Sequence, residues 1–177
     1  MYFPENLLFK YKNVWVTSDW HFNHRKIIEF EQVRGSRFSD VNAMNKALVE
    51  LWNSVVGDND LVINLGDLSF SYTETIESQL RGKKILIRGN HDMRSDEYYR
   101  NFGYIRCPSV AVWNDLVFTH IPIHPNEFIG RWRANIHGHT HSRRIDDPRY
   151  FNACLDAHPN FSMWNLTEIL DTLEKKE

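Results

Sequence analysis

Nine histidines stand in this chain of 177 residues. Eight fall into four short stretches: His21 and His24, His91, His120 and His124, then His137, His139 and His141; only His158 stands apart. Imidazole titrates near neutrality and is the commonest metal-ligand side chain, so histidines clustered beside Asp and Asn point to metal chemistry. Asp19-Trp20-His21 sets two donors at i and i+2, which share a face in an extended chain and can grip one ion at a strand end. Asp67 follows Gly66, where the backbone can turn sharply, and its two carboxylate oxygens can bridge two cations. Asn90, in Gly89-Asn90-His91-Asp92, offers a neutral amide oxygen to a hard or borderline cation. His139 and His141, in Gly138-His139-Thr140-His141, again stand at i and i+2, toward one ion or two. Taken singly, Asp-x-His is common, Gly-Asp is usually a turn and His-Gly-His-Thr-His can be an adventitious nickel or zinc binder. Their ordered co-occurrence, each after an apolar run, carries the metal reading.

Those apolar runs are the elements that must position the donors. Val14–Ser18 ends at Asp19, Leu61–Leu65 at Gly66-Asp67, Lys84–Arg88 at Gly89-Asn90, Leu116–Thr119 at His120 and Ala134–Ile136 at His137. Short apolar runs rich in β-branched residues read as buried strands. Between them, Met44, Ala47, Leu48, Leu51, Trp52 and Val55 recur at spacings of three and four, which predicts a helix capped by Ser39 or Asp40. Shorter helices are expected over Thr73–Leu80, Asp96–Phe102 and Leu166–Leu173, the last starting near Asn165 or Thr167. The early strand–helix alternation predicts an α/β fold with a parallel sheet. Val110–Trp113 and Tyr150–Leu155 add strands to the second half and predict a second, mixed sheet. In open α/β sheets ligands bind beyond the carboxyl ends of the strands, so Asp19, His21, Asp67, Asn90, His120, His139 and His141 are expected on one rim.

Composition bounds the alternatives. The chain is 42% hydrophobic, 14% aromatic and 25% charged, which excludes intrinsic disorder and low-complexity classes and suits a self-sufficient core. No Pro/Gly/Ser-rich linker divides it, so residues 1–177 are read as a single domain. A net charge of −2 excludes a binder held to nucleic acid by global charge. No apolar run approaches a membrane span. The first residues, Met1-Tyr2-Phe3-Pro4-Glu5-Asn6, lack a basic region followed by an apolar stretch. Cys107 and Cys154 are read as free thiols, Cys154 as an inert one buried in a strand, and the expected location is the cytoplasm.

Asp19-x-His21, Gly66-Asp67, Gly89-Asn90-His91-Asp92, His120 and Gly138-His139-x-His141 together resemble the motif set of the calcineurin-like metallophosphoesterase superfamily. Ser18-Asp19-Trp20-His21-Phe22-Asn23-His24 looks most like its short bacterial and phage members, and the resemblance runs from about Val14 to Cys154. It implies a four-layer α-β-β-α sandwich: two mixed sheets face to face, helices outside and a dinuclear metal site at the strand C-terminal ends. It also implies that one metal is held by Asp19, His21 and His141 and the other by Asn90, His120 and His139, with Asp67 bridging. By the same resemblance His91 is not a ligand but lies over the site and helps the leaving group depart. Two departures stand out. Phe70 occupies the place where many members carry an Asp that orients the catalytic His, so Asp92 or a main-chain carbonyl is expected to orient His91 instead. Asn23 stands where short relatives often have Gly.

The chemistry expected of such a centre is metal-dependent phosphoester hydrolysis. Two divalent cations can bind phosphate oxygens and activate a bridging water for in-line attack on phosphorus. Mixed N/O ligation suits manganese first, with iron, zinc or nickel as alternatives. The expected substrate is a phosphodiester small molecule, nucleotide-containing or not; a nuclease, a phosphomonoesterase and an inactive binding module of the same fold are the alternatives. Among the loops, His24, Arg94 and His124 are the expected substrate contacts, because Arg binds phosphate bidentately and these loops adjoin the strand ends. The other loop cations, Arg34 among them, read as solvated charge.

Overall fold

The computed structural model describes residues 1–71 and 74–175. The apolar runs form strands β1 (Val14–Thr17), β2 (Leu61–Asn64), β3 (Lys83–Leu86), β6 (Leu116–Thr119) and β7 (Ala134–His137); β4 (Tyr104–Arg106), β5 (Val110–Trp113), β8 (Tyr150–Asn152) and β9 (Trp164–Asn165) complete the set. The helical segments are α1 (Leu7–Lys10), α2 (Ile27–Phe30), α3 (Gln32–Gly35), α4 (Val41–Val55), α5 (Glu74–Glu77), α6 (Asp96–Arg100) and α7 (Leu166–Glu174). One sheet has the order β4-β3-β2-β1-β9, the other β5-β6-β7-β8. In the first, β1 to β4 run parallel and β9 antiparallel to β1; in the second, β5 is antiparallel to β6 while β6, β7 and β8 run parallel. Both sheets are mixed, as expected.

The sheets pack through alternate residues. Val14, Val16, Leu61, Ile63 and Ile85 of the first share one buried cluster with Ala111, Leu116, Phe118, Ile136 and Phe151 of the second. Leu166, Ile169 and Leu173, at helical spacing along α7, join that cluster. The opposite face of the first sheet, Val62 and Leu86, packs with Met44, Leu48 and Trp52 of α4 and Tyr99 of α6. Each such fully buried side chain contributes about 1.5–3 kcal/mol. Asp40 caps α4 by accepting from the Asn42 and Ala43 N–H groups. Asn165 and Glu168 form a capping box on α7. The outer face of the second sheet is covered by the segment carrying a 3₁₀ helix, Pro125–Phe128. There Phe128 packs edge-on against Tyr150, and the Asn135 side chain accepts from Ile123 N–H and donates to the Val117 carbonyl.

Some expected boundaries move. The strand expected over Tyr150–Leu155 ends at Asn152, because the Asn152 side chain accepts the Cys154 N–H and a 3₁₀ turn, Leu155–Ala157, succeeds it. The helix expected from Thr73 is the four-residue α5; Thr73 itself lies outside the described residues. One close approach joins the two sheets at the rim. A Cβ on Gly138 would sit 2.0 Å from Ser18 Oγ, so glycine is required for the exits of β1 and β7, which belong to different sheets, to pass one another.

Candidate metal centre

Every proposed donor leaves the carboxyl end of a strand: Asp19 and His21 follow β1, Asp67 follows β2, Asn90 follows β3, His120 follows β6, and His139 and His141 follow β7. Five of them hold left-handed backbone: Asp19 (φ 59°), His21 (51°), Asp67 (53°), His139 (67°) and His141 (50°). L-residues avoid this region, and such conformations collect at functional sites where the surrounding structure over-determines them. Asn23 is also left-handed, which asparagine tolerates better than most residues and which accounts for glycine or asparagine at this turn.

The structure brings all seven donors together in two groups. Donor atoms of Asp19, His21 and His141 lie within 4.8 Å of one another, as do those of Asp67, His120 and His139. Asn90 belongs with the second group, its Oδ1 being 3.0 Å from His120 Nε2, which is 3.2 Å from His139 Nδ1. Asp67 Oδ2 lies between the groups, 3.8 Å from His21 Nε2 and 3.5 Å from His120 Nε2. A cation pair fits this cluster. Asp19 Oδ1 and both ring nitrogens of His21 are buried without a hydrogen-bond partner, a state that is costly unless something binds them.

A second layer of contacts aims these donors. Asp19 Oδ2 accepts from His139 N–H (2.8 Å) and from the Cys154 thiol (3.1 Å), which leaves Oδ1 for the centre. Asp67 Oδ1 accepts from His91 N–H at 2.9 Å, which leaves Oδ2. The Leu65 carbonyl, 2.8 Å from His120 Nδ1, can only accept, so the proton sits on Nδ1 and Nε2 offers its lone pair. His141 Nδ1–H likewise donates to Asp156 Oδ2 at 3.0 Å. Asp156 in turn is gripped by Arg34, Nε to Oδ1 at 2.7 Å and Nη2 to Oδ2 at 2.9 Å. Arg34 is fully buried and donates as well to the carbonyls of Asp19 and Trp20, so the expectation of solvated charge is wrong for it. Cys154 is likewise more than filler: burial and Asp19 push its thiol up, which keeps it a neutral donor to that ligand.

The charges on the donors have the same origin. Burial works against charge on Asp19 and Asp67, yet the neighbouring imidazoles outweigh it and hold both carboxyls below their usual range. Burial likewise opposes protonation of His120 and His141, but hydrogen bonds to Asp67 and Asp156 outweigh it and raise them. His139 is lowered, by burial first and then by His120.

His91 stands at the lip, its side chain 38% exposed and its Nε2 3.8 Å from Asp67 Oδ2. Asp92 does not hold the His91 ring. Its carboxylate accepts from the N–H groups of Asp67, Leu68 and Gly89 and so clamps the second motif to the third. The ring packs instead on Phe70, centroids 4.3 Å apart. His24 stacks on Phe70 at 3.7 Å and 11° and is pushed down to about 4, by burial first and then by His21. Arg94 is half-buried beside the third motif. His124 is exposed and accepts from Asn126 N–H, which caps the 3₁₀ helix Pro125–Phe128. The supporting roles of Arg34, Asp156 and Cys154 leave no signal in the sequence: each is a lone residue whose partner lies far along the chain.

Residues 12–163 match the family model described as calcineurin-like phosphoesterase. An uncharacterised protein of Methanocaldococcus jannaschii is 35% identical over 80% of this chain and 76% of its own length. The gene 66 protein of Mycobacterium phage D29 is 31% identical over 92% of this chain and 98% of its own. Among solved structures, a protein of unknown function from Aquifex aeolicus superimposes with a TM-score of 0.70 at 21% identity, covering 90% of this chain and 98% of its own. The nuclease MPE of Pseudomonas putida gives 0.50 at 18% identity, over 72% and 61%. These structural likenesses concern the fold.

Proposed function

The chain belongs to the calcineurin-like phosphoesterase family, and on that premise we propose that residues 1–177 act as one metallophosphoesterase domain that hydrolyses phosphodiesters at a two-metal centre. The observation that carries this reading is the position of Asp67 Oδ2, within 3.8 Å of histidine nitrogens from both donor groups. In the proposed centre Asp19, His21 and His141 hold one cation, Asn90, His120 and His139 hold the other, and Asp67 is shared. Manganese suits this mixed oxygen and nitrogen set. When bound, two such cations supply Lewis acidity toward the phosphoryl oxygens and toward the attacking water.

The remaining work falls to the chain itself. Arg34 and Asp156 fix the tautomer and direction of His141, and the Leu65 carbonyl does the same for His120. Asp92 holds the Asp67 and Asn90 loops in one arrangement through three N–H groups. His91, at the lip, donates a proton to the departing ester oxygen. The rings of Phe70 and Phe30, both open to solvent beside the site, favour a diester over a monoester, since they present an apolar surface for a second ester substituent rather than a cation for a second phosphate charge. The nuclease named among the fold neighbours shows that one chain of this architecture cuts nucleic acid; here a net charge of −2 favours a small diester.

The test is hydrolysis of bis-p-nitrophenyl phosphate and p-nitrophenyl phosphate by chelator-stripped protein reloaded with manganese, iron, zinc or nickel. Diester turnover that requires metal and exceeds monoester turnover is expected. No nitrophenol from either substrate with any metal would overturn the hydrolase reading, and faster monoester turnover would overturn the diester reading.

A further inference from the structure

Asn64 closes β2 at the foot of the second motif and is fully buried, a polar residue at the end of a strand otherwise made of Leu61, Val62 and Ile63. A carboxamide in such a place is costly unless it is bonded. Its Oδ1 accepts the Gly66 N–H at 3.0 Å, while among the described residues its Nδ2 meets no hydrogen-bond partner. Leucine would fill that volume without the cost, so the acceptor oxygen is what the position supplies. What the oxygen holds is the peptide unit between Leu65 and Gly66. That unit is planar, and in its trans form the N–H and the C=O point opposite ways. The Gly66 N–H meets Asn64 on one side, and the Leu65 carbonyl meets His120 Nδ1 at 2.8 Å on the other. Gly66 has no side chain to steady it and no room for one: its φ is 103°, and a Cβ there would lie 2.5 Å from Gly89 N and 2.8 Å from His120 Nδ1. The next peptide, between Gly66 and Asp67, is held separately. Its carbonyl accepts the Asp19 N–H at 2.9 Å, and its N–H donates to Asp92 Oδ2 at 2.7 Å.

We infer that Asn64 is a positioning residue for one of the two metal sites, the site that contains His120. Through a single rigid peptide it aims the Leu65 carbonyl, and that carbonyl sets the direction of the His120 ring, so that Nε2 faces Asp67, Asn90 and His139. The counterpart on the other site is Asp156, whose side chain holds His141 Nδ1 directly. The two supports come from different elements and share no partner, so each acts on its own ion. This inference rests on the two-metal reading of the centre and specifies how one half of it is held.

Asn64→Ala and Asn64→Ser differ by one oxygen, and a serine hydroxyl can take the N–H two residues on as the asparagine amide does. Calorimetric titration of the metal-free protein with manganese should show one binding step weakened by about tenfold or more in Asn64→Ala and the other kept within about twofold. Asn64→Ser should recover most of the loss. The displaced step should be the one that Asp156→Ala leaves in place. Asn64→Leu, which fills the volume without an acceptor, should behave like Asn64→Ala and replaces it in the comparison should the alanine variant not fold. Amide hydrogen exchange at Gly66 reads the bond without metal, and should be faster in Asn64→Ala and Asn64→Leu than in the wild type and Asn64→Ser. Two unchanged manganese steps in the variants that lack the acceptor overturn the proposal. So do two steps displaced alike, which would mark a general loosening of the rim, and a serine variant no better than alanine. Turnover of bis-p-nitrophenyl phosphate by the wild type judges the phosphodiesterase reading separately: its absence beside an Asn64-dependent manganese step would sink the enzyme assignment and leave the positioning role standing.

Discussion

Asp156 is where the site can be weakened on one side only. Its side chain is fully buried and joins Arg34 to His141. Asp156→Ala would strip two of the guanidinium's acceptors and leave it the Asp19 and Trp20 carbonyls. Unpairing a buried ion pair costs about 3–5 kcal/mol. At roughly 2–4 °C per kcal/mol for a domain of this size, the melting temperature of the metal-free protein should fall by roughly 6–20 °C. Asp156→Asn keeps an amide oxygen in the same place and should cost less. Asp156→Ala also frees the His141 ring, and losing such an outer partner typically weakens a metal by about 10–100-fold. That weakening should fall on the Asp19, His21 and His141 site alone, because His120 takes its orientation from the Leu65 carbonyl instead. Manganese titration by calorimetry, well below the melting point of that variant, should show one step displaced and the other kept within about twofold of the wild type. Two unchanged steps would refute the positioning role, and two equally displaced steps would refute the division into separately supported sites.

The same structure sets further expectations. Elemental analysis after metal loading should approach two ions per chain, and Asp67→Ala should abolish phosphodiester turnover while weakening both ions together; a firm ceiling of one ion in the wild type, or normal turnover in the variant, would contradict the shared oxygen. His91→Ala should keep its metals and lose about 10²–10⁴ in kcat, less for a nitrophenolate leaving group than for an alkoxide, and an equal loss on both would reduce His91 to a phosphate-binding role. Lys84, buried in the first sheet, is pushed down to about 8 by burial, against the opposing pull of Glu77. The folded state then holds fewer protons than the unfolded chain between about pH 8 and 10, so this group contributes stability that grows with pH across that window. Lys84→Met should therefore be more stable than the wild type near pH 7, with the gap narrowing by roughly 3 kcal/mol by pH 10, as measured by denaturant unfolding at a series of pH values; a constant gap would refute the assignment.

Legible in the sequence is whatever repeats or punctuates. Apolar runs ending in Asp, Asn or His mark β1, β2, β3, β6 and β7 because a buried strand needs a continuous run, and the rim residues come at its end. Asp40 is readable as a cap for a related reason: a short acceptor just before an apolar helical face satisfies N–H groups that nothing else reaches. By contrast β4 and β9, three and two residues long, are too short to show a period. Arg34 and Asp156 pair across 122 positions of sequence, and no local pattern distinguishes a buried arginine from a solvated one. The role of Asp92 is obscured for a kindred reason. Adjacency to His91 suggests a side-chain partner, whereas its acceptors are taken by backbone N–H groups of two loops. The left-handed turns at Asp19, His21 and His141 are hidden because the residues there are ligand types rather than glycine.

Each donor group draws on both sheets: Asp19 and His21 with His141 in one, Asp67 with His120 and His139 in the other. The polypeptide crosses from the first sheet to the second between β4 and β5, over Cys107, Pro108 and Ser109. Cleaved at that crossing, the chain would become two fragments, each holding an incomplete share of both candidate donor groups. Their recombination would then be governed by divalent cation as well as by apolar surface, and a chelator would act on the pair as a dissociating agent. Such a pair would be a split protein whose reassembly reports metal concentration.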